Sequence, residues 1–145
     1  MAAKAKIVFR PNDVPLIESP DGTMRDSVMV TDESCGAQQY TAGLFFVRPG
    51  TRGHADSHAG LEELYYIFAG RGTVVIDDEP HEIQAGDVVF IPSGATHYLK
   101  NDHAETLGLF WAMAAKWSNM TAIQHELARW QVVDSASGWT QSAAV

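Results

Sequence analysis

The sequence predicts an all-β fold, a closed barrel or sandwich of short strands with one short C-terminal helix. Two observations carry this. Aromatic and β-branched runs of four to nine residues recur from Tyr40 to Met113, and turn residues interrupt them about every ten residues. The chain has 145 residues, nearly half of them apolar. That is enough for one core and too little for two domains of ordinary size.

The expected elements follow in order. Pro11, Pro15, Pro20 and Gly22 mark 11–32 as loops with short extended pieces. Tyr40 to Arg48 is a strand closed by Pro49-Gly50. Glu63 to Ala69 is the next, and Gly70-Arg71-Gly72 is expected to turn it back on Thr73 to Ile76 as a hairpin. After a turn at Asp77 to Pro80 come strands at His81 to Ile83, Val88 to Pro92, Thr96 to Asn101 and Thr106 to Met113. From Ser118 to Trp130 the period changes. Ser118 or Asn119 can cap, and Ile123, Leu127 and Trp130 share a helical face. The Ser- and Ala-rich tail from Asp134 to Val145 reads as loose. One domain over 1–145 is expected, with its barrel at about 38–113, N-terminal strands and loops at 1–37, and the helix and tail at 114–145.

Charge and composition exclude several classes of partner. The formal charge is −8, which argues against nucleic acid and anionic membranes, since both call for a basic surface. Cys35 is the only cysteine, so neither an intrachain disulfide nor a thiolate metal cluster can form. A reducing, cytoplasmic setting is the expectation. The first ten residues lack the apolar run of a signal peptide, and no run spans a bilayer.

Two stretches carry the chemistry. The first runs from Pro49 to Gly70 and contains His54, Asp56, His58, Glu62 and Glu63. In an extended chain His54, Asp56 and His58 fall on one face, and Glu63 opens the next strand. The second holds Gly86, Pro92, Gly94, His97 and Asn101. Two histidines and a carboxylate converging in a barrel make a metal set with open coordination positions. The remaining histidines read differently. His81 and His103 lie beside turns and His125 on the helix, where a histidine is ordinarily a surface or core residue. Glu62 reads as a solvated carboxylate, and Tyr65, Tyr66 and Phe68 as core and interface.

The joint spacing of these residues resembles the cupin superfamily. Its first motif runs from a glycine through two histidines and a glutamate to a second glycine. Here Gly50, Asp56, His58, Glu63 and Gly70 stand at its intervals. Its second motif is matched at every position by Gly86, Pro92, Gly94, His97 and Asn101. The resemblance implies a jelly-roll β-barrel that holds a divalent ion (iron, manganese or zinc) on His58, Glu63 and His97. Asp56 departs from the pattern, standing where the family has its first histidine. It can be a further ligand, a base beside the metal, or neither, and His54 is a substitute ligand one step away on the same face.

By the same resemblance the ligand is a small organic molecule inside the barrel. With Glu63 inward, alternation turns Tyr65 and Ile67 inward as well, and His97 brings Leu99. Three functions follow. A metal-dependent dioxygenase-type enzyme leads. A lyase, isomerase or cyclase using Asp56 or Tyr65 as acid or base is the alternative, and a non-catalytic binding module the third. A homodimer is expected because Leu64, Tyr66 and Phe68 fall on the outward face of the same strand. The Lys6 to Arg10 segment is free to add to a partner's sheet edge.

Overall fold

A computed structural model describes residues 5–134 and Trp139. Eleven strands appear among the described residues: β1 (Leu16–Glu18), β2 (Met24–Val30), β3 (Thr41–Val47), β4 (Thr51–Arg52), β5 (Glu63–Ala69), β6 (Arg71–Ile76), β7 (Glu79–Gln84), β8 (Val88–Ile91), β9 (His97–Asn101), β10 (Leu107–Met113) and β11 (Gln131–Val133). Two helices, α1 (Asp32–Cys35) and α2 (Thr121–Leu127), and a 3-10 turn at Trp117–Asn119 complete it.

The strands form two antiparallel sheets. The larger has the order β11-β1-β2-β3-β10-β5-β8, the smaller β4-β9-β6-β7. Between them lies an apolar core built on Val47, Ile67, Val74, Ile91, Leu107 and Leu109, all essentially inaccessible. The period-2 alternation that marked these runs as strands is what delivers those side chains to one layer.

Four expectations need correction. The turn at Gly70 does not make a hairpin. β5 pairs with β10 and β8, whereas β6 pairs with β7 and β9. Gly70 is where the chain leaves one sheet for the other. Its φ is +76°, and a Cβ there would lie 2.4 Å from the Thr106 carbonyl oxygen, so only glycine passes. The true hairpin is β6–β7, turned by Asp77 and Asp78 with φ of 48° and 67°.

Residues 11–32 are more regular than their prolines suggest. β2 is a full seven-residue strand paired to β3 over most of its length. Proline marks only the loops on either side of it. α1 is likewise unforeseen. Thr31 caps it, accepting from the Ser34 amide while the Ser34 hydroxyl accepts from the Thr31 amide.

The C-terminal helix is shorter than 118–130. Neither Ser118 nor Asn119 caps it; Met120 holds the N-cap position without a side-chain hydrogen bond. The 3-10 turn absorbs the first residues, and past Leu127 the chain runs toward β11, which pairs with β1. Most of the tail read as loose lies outside the described residues.

Candidate metal centre and cavity

His97 opens β9 and Glu63 opens β5, so each ligand stands at the start of a strand, one in each sheet. His58 comes from the loop between β4 and β5. That loop is tied down at two points. Asp56 and His97 exchange backbone hydrogen bonds of 2.8 Å in both directions, and the Gly94 amide donates to the His58 carbonyl. The second motif thereby holds the first in place. Gly94, with φ of +77°, supplies the bend that brings its amide round.

The ligand atoms of His58, Glu63 and His97 all lie within 4.8 Å of one another. His58 Nε2 is 3.9 Å from Glu63 Oε2, and the two imidazole rings stand 5.3 Å apart at 62°. His97 Nδ1 donates to the Ala95 carbonyl at 3.0 Å. This selects the tautomer whose Nε2 lone pair is free to ligate.

Glu63 is 5% exposed. The Tyr65 hydroxyl donates to its carboxylate, yet Oε2 has no protein partner. Burial, the largest cause, pushes its pKa up to about 8, and the carboxylates of Asp26 and Asp56 push the same way. Burial holds the His58 imidazole below its ordinary value, favouring the neutral, ligating form, with Asp56 acting in the opposite direction. Tyr65 is raised well above the ordinary tyrosine range by burial and by Glu63, so its proton stays in place. A buried carboxylate oxygen with nothing to bond, beside two imidazoles, is the donor chemistry of a divalent cation site. The residues fit the ion.

Asp56 stands beside this group and outside it. Its Oδ2 is 3.5 Å from His58 Nε2, while Oδ1 accepts from the Ser57 amide. His54 shares the cavity lining with Asp56 and His58, but its Nε2 meets Glu126 Oε1 of α2 at 2.6 Å. That pairing ties α2 to the loop that carries Asp56 and His58. His81 and His125 are exposed, as is Glu62, and His103 is half-buried.

The cavity lies between the sheets, beneath α2. Tyr65 and Leu99 line it as alternation requires; Ile67 is also inward but sits in the core below. Several lining residues escaped the sequence reading. Asp26 of β2 is buried and accepts a 2.9 Å hydrogen bond from Trp111 Nε1 of β10. Phe45, Trp130 and Glu126 also face the cavity. The available signal was alternation in β2, where Met24, Asp26 and Val28 share a face, so that an acid interrupts an apolar stripe.

No helix among the described residues is long and apolar enough to cross a membrane.

Comparison with known proteins agrees with this architecture. The family model described as "Cupin domain" matches residues 43–113. SchB of Streptomyces halstedii is 33% identical over 90 residues, which cover 62% of this chain and 64% of that protein. The dimethylsulfoniopropionate lyase DddW of Ruegeria pomeroyi is 31% identical over 88 residues, 59% of this chain and 57% of the lyase. The chain thus spans less than two thirds of either relative. The crystal structure of a predicted oxalate decarboxylase from Thermotoga maritima superposes with a TM-score of 0.66 at 23% identity, covering 75% of this chain and 99% of that one. The matched stretch runs from β3 through β10 and holds every residue of the metal group, in a barrel of the same build: the chain belongs to the cupin superfamily.

Proposed function

We propose that this chain is a metal-dependent enzyme acting on a small organic molecule inside the barrel, with chemistry of the non-haem dioxygenase type. One observation carries the reading: three ligand groups within 4.8 Å, one of them a buried carboxylate with an unpartnered oxygen. Lewis acidity and, for iron or manganese, redox chemistry with dioxygen are what a divalent ion on His58, Glu63 and His97 supplies. The protein's own groups do the rest. The Ala95 carbonyl orients His97, and the Tyr65 hydroxyl orients Glu63. Ile123, Glu126 and Leu127 of α2 contribute to the cavity wall.

A second reading, a non-redox lyase, isomerase or cyclase, is favoured by Asp56. Its carboxylate is part-exposed in the cavity and lies 3.5 Å from His58, where it can take a proton from a bound substrate. Tyr65, whose proton burial and Glu63 hold in place, serves in that reading as a hydrogen-bond donor to the substrate or to Glu63. The Ruegeria relative, a lyase by name, supports it.

Metal analysis of the purified protein, with oxygen uptake measured over a panel of small acids and diketones, separates these. Stoichiometric iron or manganese with uptake is the expected result. Zinc without uptake selects the second reading, and absence of stoichiometric metal points to a binding module and overturns both.

The proposal includes a homodimer in a reducing cytoplasm, where Cys35 stays a free thiol. On the outer face of the large sheet Leu64 pairs with Phe90, and Tyr66 with Val88 and Phe110. These five are 41–69% exposed, and among the described residues β8 ends the sheet with no further strand beside it. The N-terminal segment, with Ile7 and Val8 in solvent, would add to such an edge on a second copy.

A further inference from the structure

We propose that the cavity takes a substrate with an oxygen donor at one end and an organic cation at the other, the cation lying against Asp26 among the rings of Phe45, Trp111 and Trp130. The oxygen-donor end rests on the metal reading above. The cation end rests on different residues.

Register places the two ends at different positions on one curved wall, within electrostatic reach of each other. Asp26 of β2 pairs with Phe45 of β3, and Phe45 with Leu109 of β10, which pairs with Ile67 of β5. Glu63 lies four residues from Ile67 along β5. Asp26 is therefore three strands across and two inward positions along from the metal group, on the same cavity wall.

The Asp26 carboxylate is held there by a built contact. Trp111 reaches it across β3, and the crossing depends on Gly43. A Cβ on Gly43 would fall 2.1 Å from the Ser27 carbonyl oxygen and 3.1 Å from Trp111 Cζ2. A side chain at this position would displace the Ser27 backbone of β2, the strand that carries Asp26, and crowd the indole.

The Trp111 indole N–H and the Ser27 backbone N–H both donate to this carboxylate, but two neutral donors do not cancel the charge of a group that is 6% exposed. No lysine or arginine lines the cavity among the described residues. Arg25 is bonded to Glu18 at 2.7 Å, and the Arg52 guanidinium stacks on the ring of Tyr98 at 4.1 Å. Of the four acids in the lining, Glu126 has His54 and Glu63 has the metal position. Asp26 and Asp56 have no cationic side chain of their own. A dianionic substrate would add negative charge to a wall already in excess of it. A cation would meet one carboxylate and several ring faces, whose quadrupoles attract positive charge. Burial holds Asp26 at about 7, so at pH 8 the group is mostly ionised, and an adjacent cation draws off the remaining proton.

The test uses the metal-loaded protein at pH 8 and calorimetric titration with carboxylates differing only at the tail. These are 3-(trimethylammonio)propionate, its uncharged isostere 4,4-dimethylpentanoate, 4-hydroxybutyrate and succinate. The cationic probe should bind at least about tenfold tighter than the isostere, with succinate weakest. Asp26→Asn keeps an acceptor for Trp111. It should bring the ratio of the first two probes to near one while changing the affinity of the isostere less than about twofold. Equal binding of the first two probes by the parent, tightest binding of succinate or 4-hydroxybutyrate, no binding of any probe, or an unchanged ratio in Asp26→Asn would each overturn the proposal. Repeating the isostere titration after chelation separates the two readings. If its affinity is unchanged without metal, the metal end is wrong, and the cation ratio still judges Asp26.

Discussion

The two faces of β5 are a few ångströms apart and obey opposite rules. Inward, Glu63 and Tyr65 bury a carboxylate and a phenol with Ile67 beneath them. Outward, Leu64 and Tyr66 stand about half in solvent, and only Phe68 is partly covered, by an edge-on contact with Phe46. Folding alone favours the reverse, apolar groups inside and ionisable ones in water. In the reading proposed above, each inversion marks a place where a further neighbour belongs. Inside, the missing neighbour is one that satisfies an unpartnered oxygen. Outside, it is one that covers a hydrocarbon surface. On that reading a cation fills the first place and another copy of the chain the second.

The comparison breaks most sharply at the metal group. His58→Ala and His97→Ala should each lower bound metal at least about tenfold, because no nearby nitrogen takes the vacated position. His81→Ala and His125→Ala should leave it unchanged. Equal metal content in all four, measured by mass spectrometry, would show that the inner face is not a metal face.

On the outer face the effect is read as mass. The parent should scatter light as a dimer at micromolar concentration, and Val88→Lys combined with Phe90→Lys should give a monomer with its metal retained. A monomeric parent would make the exposed ring cluster an ordinary surface.

Asp56 tests where the inner face ends. As a proton acceptor it should keep its metal on Asp56→Asn and lose about a hundredfold in turnover, whereas Asp56→His should shift metal preference if the position ligates. Two variants indistinguishable from the parent would reduce the site to His58, Glu63 and His97.

The smallest effect is on stability against pH. Asp26 titrates at about 7 in the fold against an ordinary 3.8, so the native state favours its protonated form. The stabilisation from that proton is fully present below about pH 4 and is lost as pH rises through 7. Asp26→Asn removes the dependence. Its melting temperature, metal-free, should rise relative to the parent between pH 4 and pH 8. Parallel melting curves across that range would place the Asp26 carboxyl in a more solvated setting than the cavity wall.

Most strands and the metal group were legible because both are written in local terms. Period-2 alternation and glycine turns depend on neighbours in the chain. The spacing of Gly86, Pro92, Gly94 and His97 encodes a turn that delivers an imidazole to the first position of a strand. Where local terms run out, the tertiary structure decided. Gly70 looks like a hairpin glycine, but hairpin and inter-sheet crossing use the same backbone freedom, and only packing against Thr106 selects the crossing. β2 was hidden by flanking prolines, and with it Asp26. Its meeting with Trp111 joins residues 85 apart in sequence through a gap left by Gly43. His54 meets Glu126 of α2, a contact between residues 72 apart in sequence that no local pattern announces. Chain-local chemistry determined which residues can ligate. Which carboxylates share a cavity, and with which rings, is a property of two sheets and a helix closing on one another.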